Sequence, residues 1–135
     1  MGTLIESSLW IDFTRTRSPR NLKRFIAPYI LAAEAALAEP VVFEVLRYAT
    51  DDEVLQLTEQ FRLLPMMATP DDLWARAPEL GQACRKKKIT PGAMDLLISC
   101  VAIHHGAELV TFDEDFQKIA GASDLRVKLL KRPRA

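Results

Sequence analysis

The chain has 135 residues, of which 49% are hydrophobic and 27% charged, with 18 basic residues against 18 acidic ones. That length buries a core without covalent staples and predicts one domain over residues 1–135. The even charge balance excludes a global field that would recruit nucleic acid or membrane, so any such partner must meet a local patch. Cys84 and Cys100 stand alone, with no metal-ligand spacing, which predicts reduced thiols in a reducing compartment. The longest apolar-rich stretch, residues 25–37, is interrupted by Pro28 and Glu34 and is too short to span a bilayer. No charged leader precedes it. The expectation is a soluble, cytoplasmic domain with no membrane partner.

In chain order, Thr3, Leu4 and Ile5 read as a buried strand that ends on Glu6, with no basic residue until Arg15. Ser7 and Ser8 are good N-caps for a helix over about residues 9–13. The basic, turn-prone stretch RTRSPRNLKR follows, then a helix over about 21–33. EAALAEP (34–40) holds a short apolar segment that reads as a second strand, although alanine is a weak strand former. Pro40 suits the first helical position of VVFEVLRYA, and Asp51 and Asp52 start the next helix, with Val54, Leu55, Thr58 and Phe61 in a 3–4 rhythm.

LLPMMA (63–68), closed by the turn signal TPDD, reads as a third strand, and a polar helix follows over about 71–87. In ITPGAMDLLISCVAIHHG (89–106), Thr90 is the predicted cap, Pro91 the first helical residue and Gly106 the stop. AELVTF (107–112) is a clear strand, DEDFQKIA a short helix and LRVKLL (125–130) a last strand. Helices alternating with strands predict a three-layer α/β/α sandwich with a mainly parallel central sheet.

Four acids stand out by position. Glu6 ends the first strand and Asp113 a late one, and ligands of open parallel sheets bind beyond the carboxyl ends of the strands. Glu44 shares a helical face with Val41, Val45 and Tyr48. Asp95 opens the last long helix, and Asp115, two residues past Asp113, adds a further carboxylate. Singly, each has an ordinary explanation: the helix macrodipole for Asp95, a cap for Asp113, a pair with Arg47 for Glu44. Glu6 is harder to explain so, because Glu is a poor cap and the serines beside it fill that role. Brought together, like charges repel unless a cation neutralises them, and a hard divalent ion with oxygen ligands, Mg²⁺ or Mn²⁺, is the natural partner.

These same residues resemble a known family. LIESSLWIDF is similar to the opening of a PIN domain, a strand ending in an acid followed by small hydroxyl residues. EPVVFEVLR resembles the helix that carries the family's second acid, and MDLLISCVAIHHGAELVTFDEDF its most recognisable segment. Size and pattern are most similar to the VapC-type toxins of toxin–antitoxin pairs. The resemblance implies a Mg²⁺- or Mn²⁺-dependent ribonuclease that forms a homodimer and is inhibited by a cognate antitoxin. It implies catalytic acids at Glu6, Glu44, Asp95 and Asp113, with Asp115 as a further metal ligand and Ser8 positioning the first acid or a substrate phosphate. One position departs from the pattern: the family's first acid is Asp, and Glu6 carries an extra methylene and rotatable bond. A site altered in this way is either an active nuclease or a weakened module that acts by binding RNA or antitoxin.

In the active reading, one or two ions held by these carboxylates activate water for attack on a phosphodiester. An acid-rich pocket repels RNA, so basic groups must flank it. Arg15, Arg17, Arg20, Lys23 and Arg24 are the first candidates to grip phosphates, RKKK (85–88) the second, and the terminal KRPRA a third whose default is a solvated tail. Trp10 and Phe13 are assigned to the core. A phosphorelay receiver, which also groups acids at strand ends, needs a Lys at a later strand end, and VTFD offers none.

Overall fold

The computed structural model describes residues 2–134; Ala135, the last residue of the basic tail, lies outside them. Among the described residues, five strands form one all-parallel sheet in the order β3-β2-β1-β4-β5. The strands are β1 (Thr3–Ile5), β2 (Ala35–Ala38), β3 (Met66–Met67), β4 (Glu108–Thr111) and β5 (Arg126–Leu129). The helices are α1 (Ser7–Thr14), α2 (Arg20–Leu31), α3 (Glu39–Arg47), α4 (Asp51–Phe61), α5 (Leu73–Lys86), α6 (Ala93–His105) and α7 (Asp115–Ala120). Helix α1 packs against α2, α3 and α4, whereas α5 packs on α6 and α6 on α7. Two helical layers therefore cover the sheet, as the alternation of elements predicts, and α3 touches both α1 and α6. No described helix is long and apolar enough to cross a membrane.

Chain order reverses direction at β1, which pairs with β2 on one side and β4 on the other. The carboxyl edge between β1 and β4 is therefore the crevice at which such sheets place ligands. Register sharpens this. Ile5 sits opposite Val110, and the Glu6 N–H continues the ladder to the Val110 carbonyl at 3.0 Å. One step further brings Glu6 beside Thr111.

The alanine-rich β2 forms because it lies between β1 and β3, where all four of its residues are buried. Tertiary burial outweighs the weak strand preference of alanine. Leu4, Ile5, Leu9, Trp10, Ile26, Leu37, Ile98, Leu109, Phe116 and Ile119 form the centre of the core, each fully enclosed. Trp10 meets Phe61 edge to face with centroids 4.9 Å apart, and Phe13 packs half-buried against the core. Cys84 and Cys100 are buried free thiols, and burial pushes both above the usual thiol range.

Helix α4 starts at Asp51 and α6 stops at Gly106, as expected, whereas the starts of α3 and α6 differ from expectation. Helix α4 starts one residue after Thr50, which closes a reciprocal capping box with Glu53. Helix α3 begins at Glu39, with Pro40 in its first turn. Helix α6 begins at Ala93 rather than Pro91: residues 90–92 run outside any helix, and Gly92, in extended conformation, is the last residue before the first turn. Gly106 ends α6 at φ +61, the left-handed conformation that glycine adopts without strain.

Candidate active site

The site begins with the turn from β1 into α1. Glu6, not Ser7 or Ser8, is the N-cap of α1: its backbone is extended and its Oε1 accepts the Ser8 N–H at 3.1 Å. The longer glutamate arm reaches back over the first turn, which releases Ser7 and Ser8 into the helix itself. Ser7 is buried with its hydroxyl unpartnered. Ser8 donates its hydroxyl to Glu6 Oε1 at 2.6 Å and accepts the Phe112 N–H at 3.1 Å.

Thr111, the last residue of β4, repeats this pattern from the opposite side. Fully buried, it donates its hydroxyl to the same Oε1 at 2.6 Å and accepts the Asp113 N–H at 2.9 Å. The two hydroxyls thus hold one carboxylate oxygen and at the same time fix the backbone that presents Asp113. Sequence reasoning missed Thr111. Its signal was the position directly before Phe112 and Asp113 at a strand end, but its partner lies 105 residues away.

Glu6 is only 4% exposed, and burial pushes its carboxyl above the ordinary carboxylate range. The bonds from Ser8 and Thr111 pull it down, and the charge of Glu44 adds a smaller upward push. Oε2 receives no hydrogen bond from the described residues.

Beyond the strand ends, Asp95, Asp113 and Asp115 each place a carboxylate oxygen so that all three lie within 4.8 Å of one another. Asp95 comes from the first turn of α6, Asp113 from the residues after β4, and Asp115 from the first residue of α7. The Asp115 N–H donates to Asp113 Oδ1 at 2.9 Å, which fixes the relative position of this pair. Burial first, and then the charges of Asp113, Glu6, Glu44 and Asp115, push Asp95 up to about 7. Glu6 and Glu44 therefore lie close enough to act on Asp95, yet they stand outside the three-carboxylate group. The sequence placed Asp115 behind the other four acids; in the structure it belongs to the tightest cluster.

The donor set fits a hard divalent cation. It offers several carboxylate oxygens and a like-charge repulsion that a cation relieves. The cationic group in ion-pair contact with the three is Lys118, 3.6 Å from Asp115. Beside Asp115, a cavity of about 280 Å³ is lined by Lys88, Ile89, Thr90, Pro91 and Lys118. A larger cavity of about 610 Å³ between α5 and α6 is lined by none of these acids.

The basic residues expected to grip phosphates lie on neighbouring elements, and two histidines at the end of α6 lie elsewhere. Arg15, Arg17, Arg20 and Arg24 are exposed and Lys23 half-buried, on the end of α1, the connection and the start of α2. His105 is committed to the Ala68 carbonyl at 2.7 Å, and His104 lines the distant large cavity. The basic tail is not simply solvated. The Leu130 N–H donates to the Thr111 carbonyl at 2.8 Å, Arg132 Nε lies 2.6 Å from Asp12 Oδ2, and Asn21 Nδ2 donates to the Arg134 carbonyl at 2.6 Å.

Comparison with known proteins agrees with this geometry. Residues 3–122 match the PIN domain. The chain belongs to the PIN domain family. This PIN domain is 31% identical over 129 residues to the VapC ribonuclease Mb1587 of Mycobacterium bovis, covering 91% of this chain and 95% of that protein. It is equally similar to ribonuclease VapC11 of Mycobacterium tuberculosis. Among solved structures it is similar to VapBC2 from Rickettsia felis bound to a promoter DNA fragment, with a TM-score of 0.76 at 16% identity, covering 97% of this chain and 100% of that one. It is also similar to VapBC-1 from nontypeable Haemophilus influenzae, with a TM-score of 0.72 at 15% identity, covering 96% and 98%. At these identities the two structures speak to the PIN fold alone.

Proposed function

We propose that this PIN domain is a VapC-type endoribonuclease toxin that hydrolyses RNA phosphodiester bonds and depends on Mg²⁺ or Mn²⁺. The observation that carries the reading is the convergence of Asp95, Asp113 and Asp115 within 4.8 Å at the carboxyl edge, next to the buried Glu6. Similarity to curated VapC ribonucleases over nearly the whole chain supports it.

Asp95, Asp113 and Asp115 would hold the ion, with Glu6 and Glu44 supplying further negative charge. When bound, a divalent cation supplies a Lewis acid that polarises the phosphodiester and activates water. The chain's own residues do the rest. Thr111 and Ser8 orient Glu6 and hold the backbone before Asp113. Lys88 and Lys118 present cationic groups beside Asp115, and Arg15, Arg17, Arg20, Lys23 and Arg24 offer further charge for phosphates.

The reading includes two protein partners, a cognate antitoxin and a second copy of this chain, both implied by the family resemblance. Structures of VapBC toxin–antitoxin proteins among the similar folds support the antitoxin. So does an exposed aromatic face on α3, where Arg47 lies over the rings of Phe43 and Tyr48 beside Glu44.

The test is RNA cleavage under Mn²⁺ titration, comparing this chain with Asp95→Asn and Glu6→Asp. Metal-dependent cleavage that Asp95→Asn abolishes is the expected result. Absence of cleavage in both this chain and Glu6→Asp removes the enzyme. A second reading, a module weakened in turnover, draws on Glu6 Oε1 being occupied by three hydrogen bonds. Cleavage by Glu6→Asp alone would favour it.

A further inference from the structure

The C-terminal tail leaves β5 at the active site rather than away from it. Its first residue, Leu130, is bonded to the carbonyl of Thr111, the residue that grips Glu6. Two residues on, the Arg132 guanidinium lies 4.5 Å from the centroid of the Phe112 ring, and its Nε donates to Asp12 on α1. Asp12 is well covered, with 13% of its side chain exposed, whereas 51% of the Arg132 side chain is exposed. Phe112 is itself buried, lies 6.2 Å from Phe25 of α2 with near-parallel rings, and directly precedes Asp113. Further along, Asn21 at the start of α2 holds the Arg134 carbonyl, so the tail crosses from β4 over α1 to α2.

An arginine pinned in this way differs from a free surface cation. One N–H is spent on Asp12, and the Phe112 ring lies against the guanidinium. The four N–H groups on the terminal nitrogens make no hydrogen bond with the described residues. Side-chain entropy, the usual cost of gripping a phosphate with arginine, is already largely lost in the unbound protein. The planar fork matches a phosphate oxygen pair.

We propose that Arg132 is an RNA phosphate-binding residue: held by Asp12 and Phe112, it grips a backbone phosphate next to the scissile one. The inference rests on the ribonuclease reading and deepens it. Arg20 and Arg24, exposed on α2 where the tail meets Asn21, extend the same cationic surface.

The experiment measures binding of a fluorescein-labelled single-stranded oligoribonucleotide by anisotropy across a KCl series. It uses the full chain carrying Asp95→Asn, with Mn²⁺ present. Adding Arg132→Gln weakens binding about tenfold, the loss of one charge-assisted contact at a half-exposed site. It also lowers the slope of log affinity against log salt by about 0.7, the share of one phosphate on a single strand. Arg132→Lys keeps the slope and recovers part of the affinity. Asp12→Ala, which frees the guanidinium but keeps its charge, also leaves the slope intact. Unfolding midpoints of all variants separate binding from folding.

Unchanged affinity and slope in Arg132→Gln would overturn the role of Arg132 while leaving the nuclease standing, provided the unsubstituted chain cleaves RNA. An Asp12→Ala loss of slope equal to that of Arg132→Gln would reduce the pair to a tail anchor and also overturn it. No binding by the Asp95→Asn parent, together with no cleavage by the unsubstituted chain, would overturn both readings.

Discussion

Replacing Thr111 with valine tests whether a single hydroxyl organises the acid site. The side chains are nearly the same shape, so the change removes polar contacts without opening a cavity. Two contacts go: the donation to Glu6 Oε1 at 2.6 Å and the acceptance of the Asp113 N–H at 2.9 Å. A hydrogen bond to a charged group contributes about 1.5–3 kcal/mol, and an amide left without its partner costs about 1–3 kcal/mol. Burying one extra methyl returns about 0.8 kcal/mol. The net destabilisation is about 2–5 kcal/mol, and at about 4 °C per kcal/mol for a chain of this size the unfolding midpoint falls by about 8–20 °C.

The pH dependence carries a sign. Burial has already raised the Glu6 carboxyl, and the Thr111 hydroxyl opposes that by favouring the charged form. A carboxyl whose folded-state pKa is raised keeps its proton better in the native state. Its contribution to stability is therefore lost as pH rises through the raised value. Removing the hydroxyl raises Glu6 further, so the gap between wild type and Thr111→Val widens from pH 5 to pH 8. Chemical denaturation of the metal-free protein at the two pH values measures it, with Thr111→Ser as the control that keeps the wild-type pH dependence. A gap that is the same at both values, or below about 0.5 kcal/mol throughout, within the ordinary scatter of surface substitutions, refutes the assignment.

Asp95, raised to about 7 from an ordinary 3.8, gives the metal-free protein a stability that declines as pH rises between those values. Asp95→Asn flattens that decline in denaturant melts. Because a ligand carboxylate must lose its proton to hold an ion, Mn²⁺ affinity measured by calorimetry is about tenfold weaker at pH 6 than at pH 8. Gly106→Ala meets no atom within 4 Å but forces a β-carbon into φ +61; the expected cost is about 1 kcal/mol in thermal or urea unfolding. Ser99→Ala removes a fully buried hydroxyl that has no partner, so it leaves stability unchanged or raises it by up to about 1 kcal/mol in the same assay.

How much of this was legible in the sequence depends on how local each cause is. The strand ELVTF and its following acids declare themselves through β propensity and turn chemistry, and β4 forms where expected. The acids are legible as a group because parallel topology places strand ends on one edge. Their finer ranking is not. That Asp115 rather than Glu6 joins Asp95 and Asp113 follows from the Asp115 N–H closing onto Asp113, a bond that depends on the exact entry into α7. In the sequence the serines beside Glu6 are the obvious caps, whereas its own arm is long enough to cap the helix that follows it. Thr111 and Arg132 stayed hidden for the same reason: their partners, Glu6 and Asp12, lie 105 and 120 residues away in sequence. Composition alone marks the tail as solvated, and it carries no information about which ring a guanidinium will rest on.

Helix α1 is short, and both of its jobs sit on it: Glu6 closes its first turn and Asp12 lies near its end. The axial rise between those residues is about 9 Å, set by backbone hydrogen bonds rather than by rotatable side chains. The helix is therefore a ruler laid between the buried carboxylate and the guanidinium that Asp12 grips. A residue inserted or deleted within α1 would misalign the two ends by about 1.5 Å along the axis and 100° around it.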